Sequence, residues 1–141
     1  MDADVKALIG SPNRDRFKFF HKQRGRYNHY AADLDLVLIS FNPPGIIAAL
    51  DYKTSKWDGI TSTETVLYNH LNALGIPVYI ILGRVVGENT DITMESIEIH
   101  EYVYNSVKKC GDTIKIKGNA SVEELFDWEN DLRIDYSLSH R

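Results

Sequence analysis

Cysteine is almost absent from this chain, and its scarcity excludes several kinds of protein at once. Cys110 is the single cysteine among 141 residues, so neither an intrachain disulfide nor a cysteine-based structural zinc site can form. A reducing, cytoplasmic location is therefore expected. The sequence also lacks an apolar run long enough to span a bilayer, so we expect no membrane partner.

Two further absences narrow the chemistry. No glycine-rich loop is followed by the Lys-Ser/Thr pair that holds nucleotide phosphates, which argues against an NTPase. The histidines lack zinc-ligand spacing and form no legible catalytic triad; they are His21, His29, His70, His100 and His140.

Charge is unevenly distributed along the chain. The net charge is −4, yet six basic residues lie between positions 14 and 26 beside one acid, Asp15. These are Arg14, Arg16, Lys18, Lys22, Arg24 and Arg26. A local basic strip on an otherwise acidic body could contact a phosphate backbone. The alternative is a solvated, helix-rich face with no partner.

The segment from Asp33 to Lys53 carries the most chemical information. Apolar runs at 34–41 and 46–50 predict two central strands buried on both faces, joined by a Pro-Pro-Gly turn at 43–45. Antiparallel pairing would bring Asp35 and Asp51 together, and Lys53 would point the same way as Asp51 because alternate residues share a strand face. Two carboxylates and an ammonium at one point favour a site for a divalent cation and a phosphate.

That arrangement suits phosphodiester hydrolysis. Carboxylate oxygens from Asp35 and Asp51 are the ligands that Mg²⁺ (or Mn²⁺) prefers, and such a cation can also hold a substrate phosphate. Lys53 would orient the attacking water or stabilise charge on the phosphate. Asp33 shares a strand face with Asp35 and competes with it for the metal. We prefer Asp35, because the apolar strand follows it directly, and leave Asp33 as a neighbouring group or a solvent-facing strand end.

The rest of the chain predicts further helices and strands. Thr61 and Glu64 match a capping box at the start of a helix through Leu74, and a buried strand follows at 78–82. Alternating residues at 95–104 and 113–117 predict antiparallel strands with one wet side. Ser121 and Glu124 form a second capping box, which opens a closing helix. Upstream, a helix is expected from about Asn13 and a short strand at 26–30.

This order of elements, with Asp35 on one strand and Asp51-Tyr52-Lys53 on the next, resembles the PD-(D/E)xK nuclease superfamily, whose members include restriction enzymes, Holliday junction resolvases and repair nucleases. Leu34 stands where the name-giving proline would be. The resemblance covers residues 13–83 and implies an α/β fold, restriction endonuclease-like, with an αβββαβ core and a mixed central sheet. Residues 84–141 would add a C-terminal β-hairpin and helix to the same single domain, 1–141.

The resemblance also implies a function and further site residues. It implies a metal-dependent nuclease acting on DNA rather than RNA, a homodimer, and the backbone carbonyl of Tyr52 as an additional metal ligand. Family members often carry a glutamine on the helix after Asp-x-Lys and an acid on the first helix. No glutamine lies there, and the polar residues available are Glu64, Asn69 and His70. Asp15 is the candidate acid on the first helix, or a group that stabilises the dipole at the start of that helix. Lys56 is a candidate phosphate contact or an exposed loop lysine.

Two other interpretations stay open. The chain could be a catalytically inactive member of this fold that binds nucleic acid or serves in assembly, which its acidic balance and missing glutamine favour. The acids and the lysine could also form an ordinary salt bridge at the edge of a small α/β protein.

Overall fold

The computed structural model describes residue 16, residues 34–53 and residues 59–140. Within these ranges, five strands form one mixed sheet in the spatial order β1-β2-β3-β4-β5. The strands are β1 (Leu36–Phe41), β2 (Pro44–Lys53), β3 (Val78–Val86), β4 (Thr93–Asn105) and β5 (Cys110–Ala120). Two α-helices, α1 (Ser62–Ala73) and α2 (Val122–Ser139), and a 3₁₀ turn at Asn89–Asp91 complete the described elements.

The first two strands form the predicted antiparallel hairpin, with a different turn from the predicted Pro-Pro-Gly. Phe41 pairs with Pro44, so the turn residues are Asn42 and Pro43, and Gly45 already lies within β2. A side chain at Gly45 would collide with the Tyr136 hydroxyl on α2, which explains a glycine inside the strand. The strand β2 therefore starts at Pro44, before its apolar run begins. Gly45 is needed for close packing against α2 and not for a turn.

The two predicted central strands differ in burial. Residues 47–51 of β2 are buried on both faces, as predicted, because β2 lies between β1 and β3. The prediction is wrong for β1, where Leu36, Ile39 and Phe41 are 48%, 50% and 90% exposed. In the described part of the chain β1 is the last strand on its side of the sheet, so its apolar side chains pack against fewer neighbours.

Each helix covers one face of the sheet. Leu67 and Leu71 of α1 pack against a cluster on one face, formed by Ala49, Tyr68, Val78, Ile80, Leu82 and Tyr102. Leu125, Trp128 and Leu132 of α2 pack against the other face, on Ile47, Ala48, Leu50, Tyr79, Ile81, Ile97, Ile99 and Ala120. Successive β3 residues enter opposite clusters because strand side chains alternate, and this two-sided burial accounts for their continuous apolar run.

Both predicted capping boxes are confirmed. Thr61 accepts a hydrogen bond from the Glu64 backbone at the start of α1, and Glu64 in turn accepts from the Thr61 backbone. Ser121 and Glu124 make the same reciprocal pair at the start of α2. Each pair satisfies two backbone N–H groups that the helix itself leaves free, so the sequence fixes both helix starts locally.

The coarse prediction of an α/β fold with a mixed sheet is confirmed. β2 and β3 pair in parallel, and the other neighbouring strands are antiparallel. The predicted hairpin and helix after residue 84 correspond to β4, β5 and α2. The helix near Asn13 and the strand at 26–30, which would complete the αβββαβ core, lie outside the described residues. Neither α1 nor α2 is both long and apolar enough to cross a membrane.

We expect Trp128→Ala to lower the free energy of unfolding by about 2–4 kcal/mol. The indole packs edge-on against Tyr79, with ring centroids 4.8 Å apart, inside the α2 face of the core. Phe126→Ala on the same helix removes a ring that is 59% exposed, and it should cost less than about 1 kcal/mol. Urea unfolding measures both; equal losses would contradict the described orientation of α2.

Candidate functional site

The register of the β1–β2 hairpin places Asp35 across from Asp51. Leu36 pairs with Leu50, and continuing the antiparallel ladder by one step sets the two aspartates opposite each other. The Tyr52 backbone N–H donates to Asp35 Oδ2 at 2.7 Å, which holds the first carboxylate against the second strand. Asp35 is exposed, whereas Asp51 is only 4% exposed. One carboxyl group therefore faces solvent, and its neighbour lies inside the protein.

Asp51 has an unusual environment for a carboxyl group. Burial raises its pKa from 3.8 to about 7, and the neighbouring carboxyl groups of Asp35 and Glu64 add to the increase. The Tyr68 hydroxyl donates to Asp51 Oδ2 and opposes the shift, because this hydrogen bond favours the ionised form. At neutral pH, then, the metal-free protein holds Asp51 as a mixture of the acid and the carboxylate.

Lys53 lies beside Asp51 and Glu64. It is two residues beyond Asp51 on the same strand face, and its Nζ is 4.0 Å from Asp51 Oδ2. The same Nζ donates to Glu64 Oε2 at 2.5 Å. The Lys53 side chain is 17% exposed, so its ammonium is partly desolvated and held between two acids.

Glu64 serves the helix start and the site at the same time. Its Oε1 accepts from the Thr61 backbone N–H at 3.0 Å, while Oε2 accepts from Lys53 Nζ and, at 3.2 Å, from the Tyr68 hydroxyl. Partial burial alone would raise the pKa of Glu64, but the Lys53 ammonium and the Thr61 backbone outweigh it and lower the pKa to about 2. Glu64 is therefore the permanently ionised acid that holds Lys53 in place.

The other polar residues predicted on the helix lie elsewhere. Asn69 Oδ1 accepts a 2.6 Å hydrogen bond from the Tyr102 hydroxyl, which fixes it to β4. His70 is exposed, with Nδ1 2.9 Å from the Val66 carbonyl oxygen one turn back. Of the three candidates on this helix, the structure brings only Glu64 to the aspartates.

Several predicted residues fall outside the described part of the chain. They are Asp15, Asp33, Lys56 and, from the basic strip, Arg14, Lys18, Lys22, Arg24 and Arg26. Arg16 is described and exposed. Because Asp33 lies outside the described residues, the preference for Asp35 as the first metal-binding carboxylate is supported only by the contacts that Asp35 makes.

Tyr68 is the residue that sequence reasoning missed. It is fully buried on α1, and its hydroxyl bonds to Asp51 and to Glu64. Burial first, and then the hydrogen bond to Asp51, raise the pKa of the Tyr68 phenol, so its hydroxyl keeps its proton and can donate to the carboxylates. A signal was present: Tyr68 follows Glu64 by four residues, which places both on one helix face.

The donor set suits a hard cation that needs few protein ligands. Across the described residues, no group of three or more His, Cys, Asp or Glu side chains is arranged to hold a metal ion. Asp35 and Asp51 nonetheless offer carboxylate oxygens side by side, and Mg²⁺ is commonly bound through one or two carboxylates with water and phosphate completing its shell. The Tyr52 carbonyl stays a predicted ligand. The other Tyr52 groups are engaged, its N–H with Asp35 and its hydroxyl with the Gly83 carbonyl at 2.9 Å.

Stability should depend on pH through Asp51. Because the folded pKa of about 7 lies above the ordinary 3.8, the stabilisation is complete below 3.8 and is lost as pH rises through 7. At about 1.4 kcal/mol per pKa unit, the loss amounts to a few kcal/mol. Glu64 has the opposite effect, because its pKa falls from 4.5 to about 2. The stability that Glu64 contributes is already fully present above pH 6 and does not change at higher pH.

We therefore expect Asp51→Asn to flatten the decline in stability between pH 5.5 and 8. In EDTA, the variant should be more stable than the parent across this range and by a larger margin at pH 8 than at pH 5.5, since asparagine mimics the uncharged acid and the parent loses stability from about pH 3.8 upward. Thermal unfolding across this range measures the difference, and Asp91→Asn at an exposed position serves as control. Parallel curves for parent and Asp51→Asn would contradict the raised pKa.

Tyr68→Phe should raise the pKa of Asp51 further. The variant loses the one donor that favours the Asp51 carboxylate, and a hydrogen bond of about 0.5–1.5 kcal/mol corresponds to roughly 0.4–1 pKa unit. A carbon-13 NMR titration of the Asp51 carboxyl group measures the midpoint. Tyr52→Phe, which removes a hydroxyl bonded to Gly83, should leave it unchanged. A lower midpoint in Tyr68→Phe would refute the assigned role.

Comparison with known proteins does not assign this chain to a family. No protein-family model, curated protein or solved structure matches it. The resemblance to PD-(D/E)xK nucleases therefore stays a prediction from the sequence.

Proposed function

We propose that this chain is a metal-dependent nuclease that hydrolyses phosphodiester bonds, in DNA rather than RNA. The observation that carries the proposal is the convergence of Asp35, Asp51 and Lys53 at one end of the hairpin, with Asp51 buried and Lys53 Nζ 4.0 Å from it. DNA is preferred because the resemblance is to a superfamily of DNA-cleaving enzymes.

A divalent cation fits the site on electrostatic grounds. Burial disfavours the Asp51 carboxylate, and the neighbouring Asp35 carboxyl group adds to this penalty, so without a cation the site retains a proton on Asp51. Mg²⁺ or Mn²⁺ held by Asp35 and Asp51 would take the place of that proton. The bound cation would supply the lowered pKa of water and the neutralised phosphate charge that phosphodiester hydrolysis requires.

The protein's own residues would divide the remaining tasks. Tyr68 orients the Asp51 carboxylate through its hydroxyl, and the Tyr52 backbone N–H orients that of Asp35. Glu64 accepts a hydrogen bond from Lys53 and fixes it beside Asp51. Lys53 would then hold the attacking water or stabilise the negative charge that builds up on the phosphate.

One observation favours a second candidate, a catalytically inactive module of the same fold that binds nucleic acid. Lys53 already donates to Glu64, and Asp51 already accepts from Tyr68, so the polar groups of the site are partnered within the protein. This candidate predicts nucleic-acid binding with neither Mn²⁺ binding nor cleavage.

The test is cleavage of supercoiled, linear, single-stranded and branched DNA in Mg²⁺ or Mn²⁺, combined with calorimetric Mn²⁺ binding. Asp51→Asn should lose Mn²⁺ binding and at least about 100-fold in rate. Lys53→Met should retain Mn²⁺ binding within a few-fold but lose about 100- to 1,000-fold in rate, since the lysine acts on charge that develops during the reaction.

Asp91→Asn, a change at an exposed acid in the 3₁₀ turn after β3, should behave like the parent. Thermal unfolding of every variant confirms that it is folded. A parent protein that neither cleaves any of these substrates nor binds Mn²⁺ would overturn the nuclease proposal and favour the inactive module. Cleavage that survives in Asp51→Asn would point to a different site.

A further inference from the structure

A cleft opens beside the candidate site, on the face of the sheet that α1 covers only in part. It has a volume of about 480 Å³. Its lining runs from Lys53 on β2 across β3 and β4 to the start of β5: Lys53, Gly59, Ile60, Ile80, Leu82, His100, Gly111, Asp112 and Thr113. The volume lies within the range of about 300–1,000 Å³ that small-molecule sites occupy.

Register shows why the cleft joins the site. Asp51 pairs with Ile80 and Lys53 with Leu82 in the parallel β2–β3 ladder. Ile80 pairs in turn with His100, so these side chains share the α1 face. From β2 to β5 the cleft crosses three inter-strand spacings, about 14 Å. A ligand that contacts Lys53 can therefore extend over the floor of the cleft towards β5.

The chemistry of the lining changes along this length. Lys53 supplies a cation at one end, Ile80 and Leu82 form an apolar floor, and polar groups of His100 and Thr113 line the far part. His100 Nε2 lies 3.2 Å from Glu98 Oε2, and Lys115 Nζ lies 3.3 Å from the other oxygen of the same carboxylate.

On the β5 side of the cleft, Gly111 allows the Tyr102 ring to lie against the backbone. Any side chain at this position would collide with the Tyr102 ring, which lies across it. Tyr102 also packs edge-on against Tyr68, with centroids 5.2 Å apart, and its hydroxyl donates to Asn69. The β5 side of the cleft therefore packs on Tyr102, which contacts Tyr68, the residue whose hydroxyl donates to Asp51.

We propose that this cleft binds one nucleotide unit, with the phosphate towards Lys53 and the base over Ile80 and Leu82. The three parts of a nucleotide match the cleft in order. The phosphate would meet the Lys53 cation, the apolar faces of the base would lie on the apolar floor, and the polar edge of the base would reach the polar side chains at the far end. The identification of this unit as the one adjoining the scissile phosphate rests on the proposed nuclease function. The binding of a nucleotide here does not.

The first experiment compares thymidine 5′-monophosphate with deoxyribose 5-phosphate, which lacks the base, and with inorganic phosphate. Binding is followed by NMR with and without Mg²⁺. The thymidine nucleotide should bind about 10-fold more tightly than deoxyribose 5-phosphate, because the base covers apolar surface. It should also shift the signals of Ile80, His100 and Thr113, whereas inorganic phosphate should shift those of Lys53 alone.

Thr113→Trp provides the second experiment, since the new ring would fill the cleft from its exposed β5 side. The variant should lose the advantage of the nucleotide over deoxyribose 5-phosphate and raise the KM for DNA more than 10-fold, while Mn²⁺ affinity stays unchanged. Thr93→Trp places the same ring on an exposed strand position outside the cleft and should match the parent in each respect.

The outcomes separate this inference from the nuclease proposal. Equal binding of thymidine 5′-monophosphate and deoxyribose 5-phosphate, or a Thr113→Trp variant that cleaves DNA with the KM of the parent, would overturn the nucleotide cleft and leave the nuclease intact. Nucleotide-induced shifts at His100 and Thr113 in a protein that never cleaves DNA would support the cleft and refute the nuclease.

Discussion

The burial of one carboxyl group, that of Asp51, is the constraint on which the candidate site depends. At 4% exposure it has little water to solvate a charge, and two further carboxyl groups lie near it. Tyr68 supplies a hydrogen bond, Lys53 supplies a nearby cation, and a proton supplies the rest of the compensation at neutral pH. The neighbouring side chains are therefore arranged around the Asp51 carboxylate, and together they compensate its charge only in part.

The fold produces this burial by simple means. Strand alternation puts Ala49, Asp51 and Lys53 on the α1 face of β2, while the parallel partner β3 covers the flank of the strand. The capping box that starts α1 also determines where Glu64 lies, because one of its oxygens bonds to the helix start and the other reaches Lys53. The capping box thus positions Glu64, the partner of Lys53, and Tyr68 lies one helical turn later on the same face of α1.

Local signals account for the parts of the structure that the sequence predicted. The capping residues and the hairpin register depend on neighbours in sequence, so Thr61, Glu64 and the pairing of Asp35 with Asp51 were accessible. The exposure of β1 was not, since an apolar run looks the same whether the strand is central or last in the sheet. The role of Tyr68 required the rotation of α1 over β2, and the same rotation turns Asn69 to β4 and His70 to solvent. The Pro-Pro-Gly turn was misplaced because Gly45 serves packing against Tyr136.

The charges of the site also link the binding of a cation to the binding of a phosphate. The Lys53 ammonium lies beside the carboxyl groups of Asp51 and Glu64, Asp35 lies across from Asp51, and Glu64 stays ionised because its pKa is about 2. Without a cation the site is negative on balance, which weakens the attraction of Lys53 for a phosphate. A divalent cation held by Asp35 and Asp51 would reverse this balance and would displace the proton from Asp51. In the proposed nuclease, a cation at the aspartates would therefore strengthen the binding of the DNA phosphate beside Lys53.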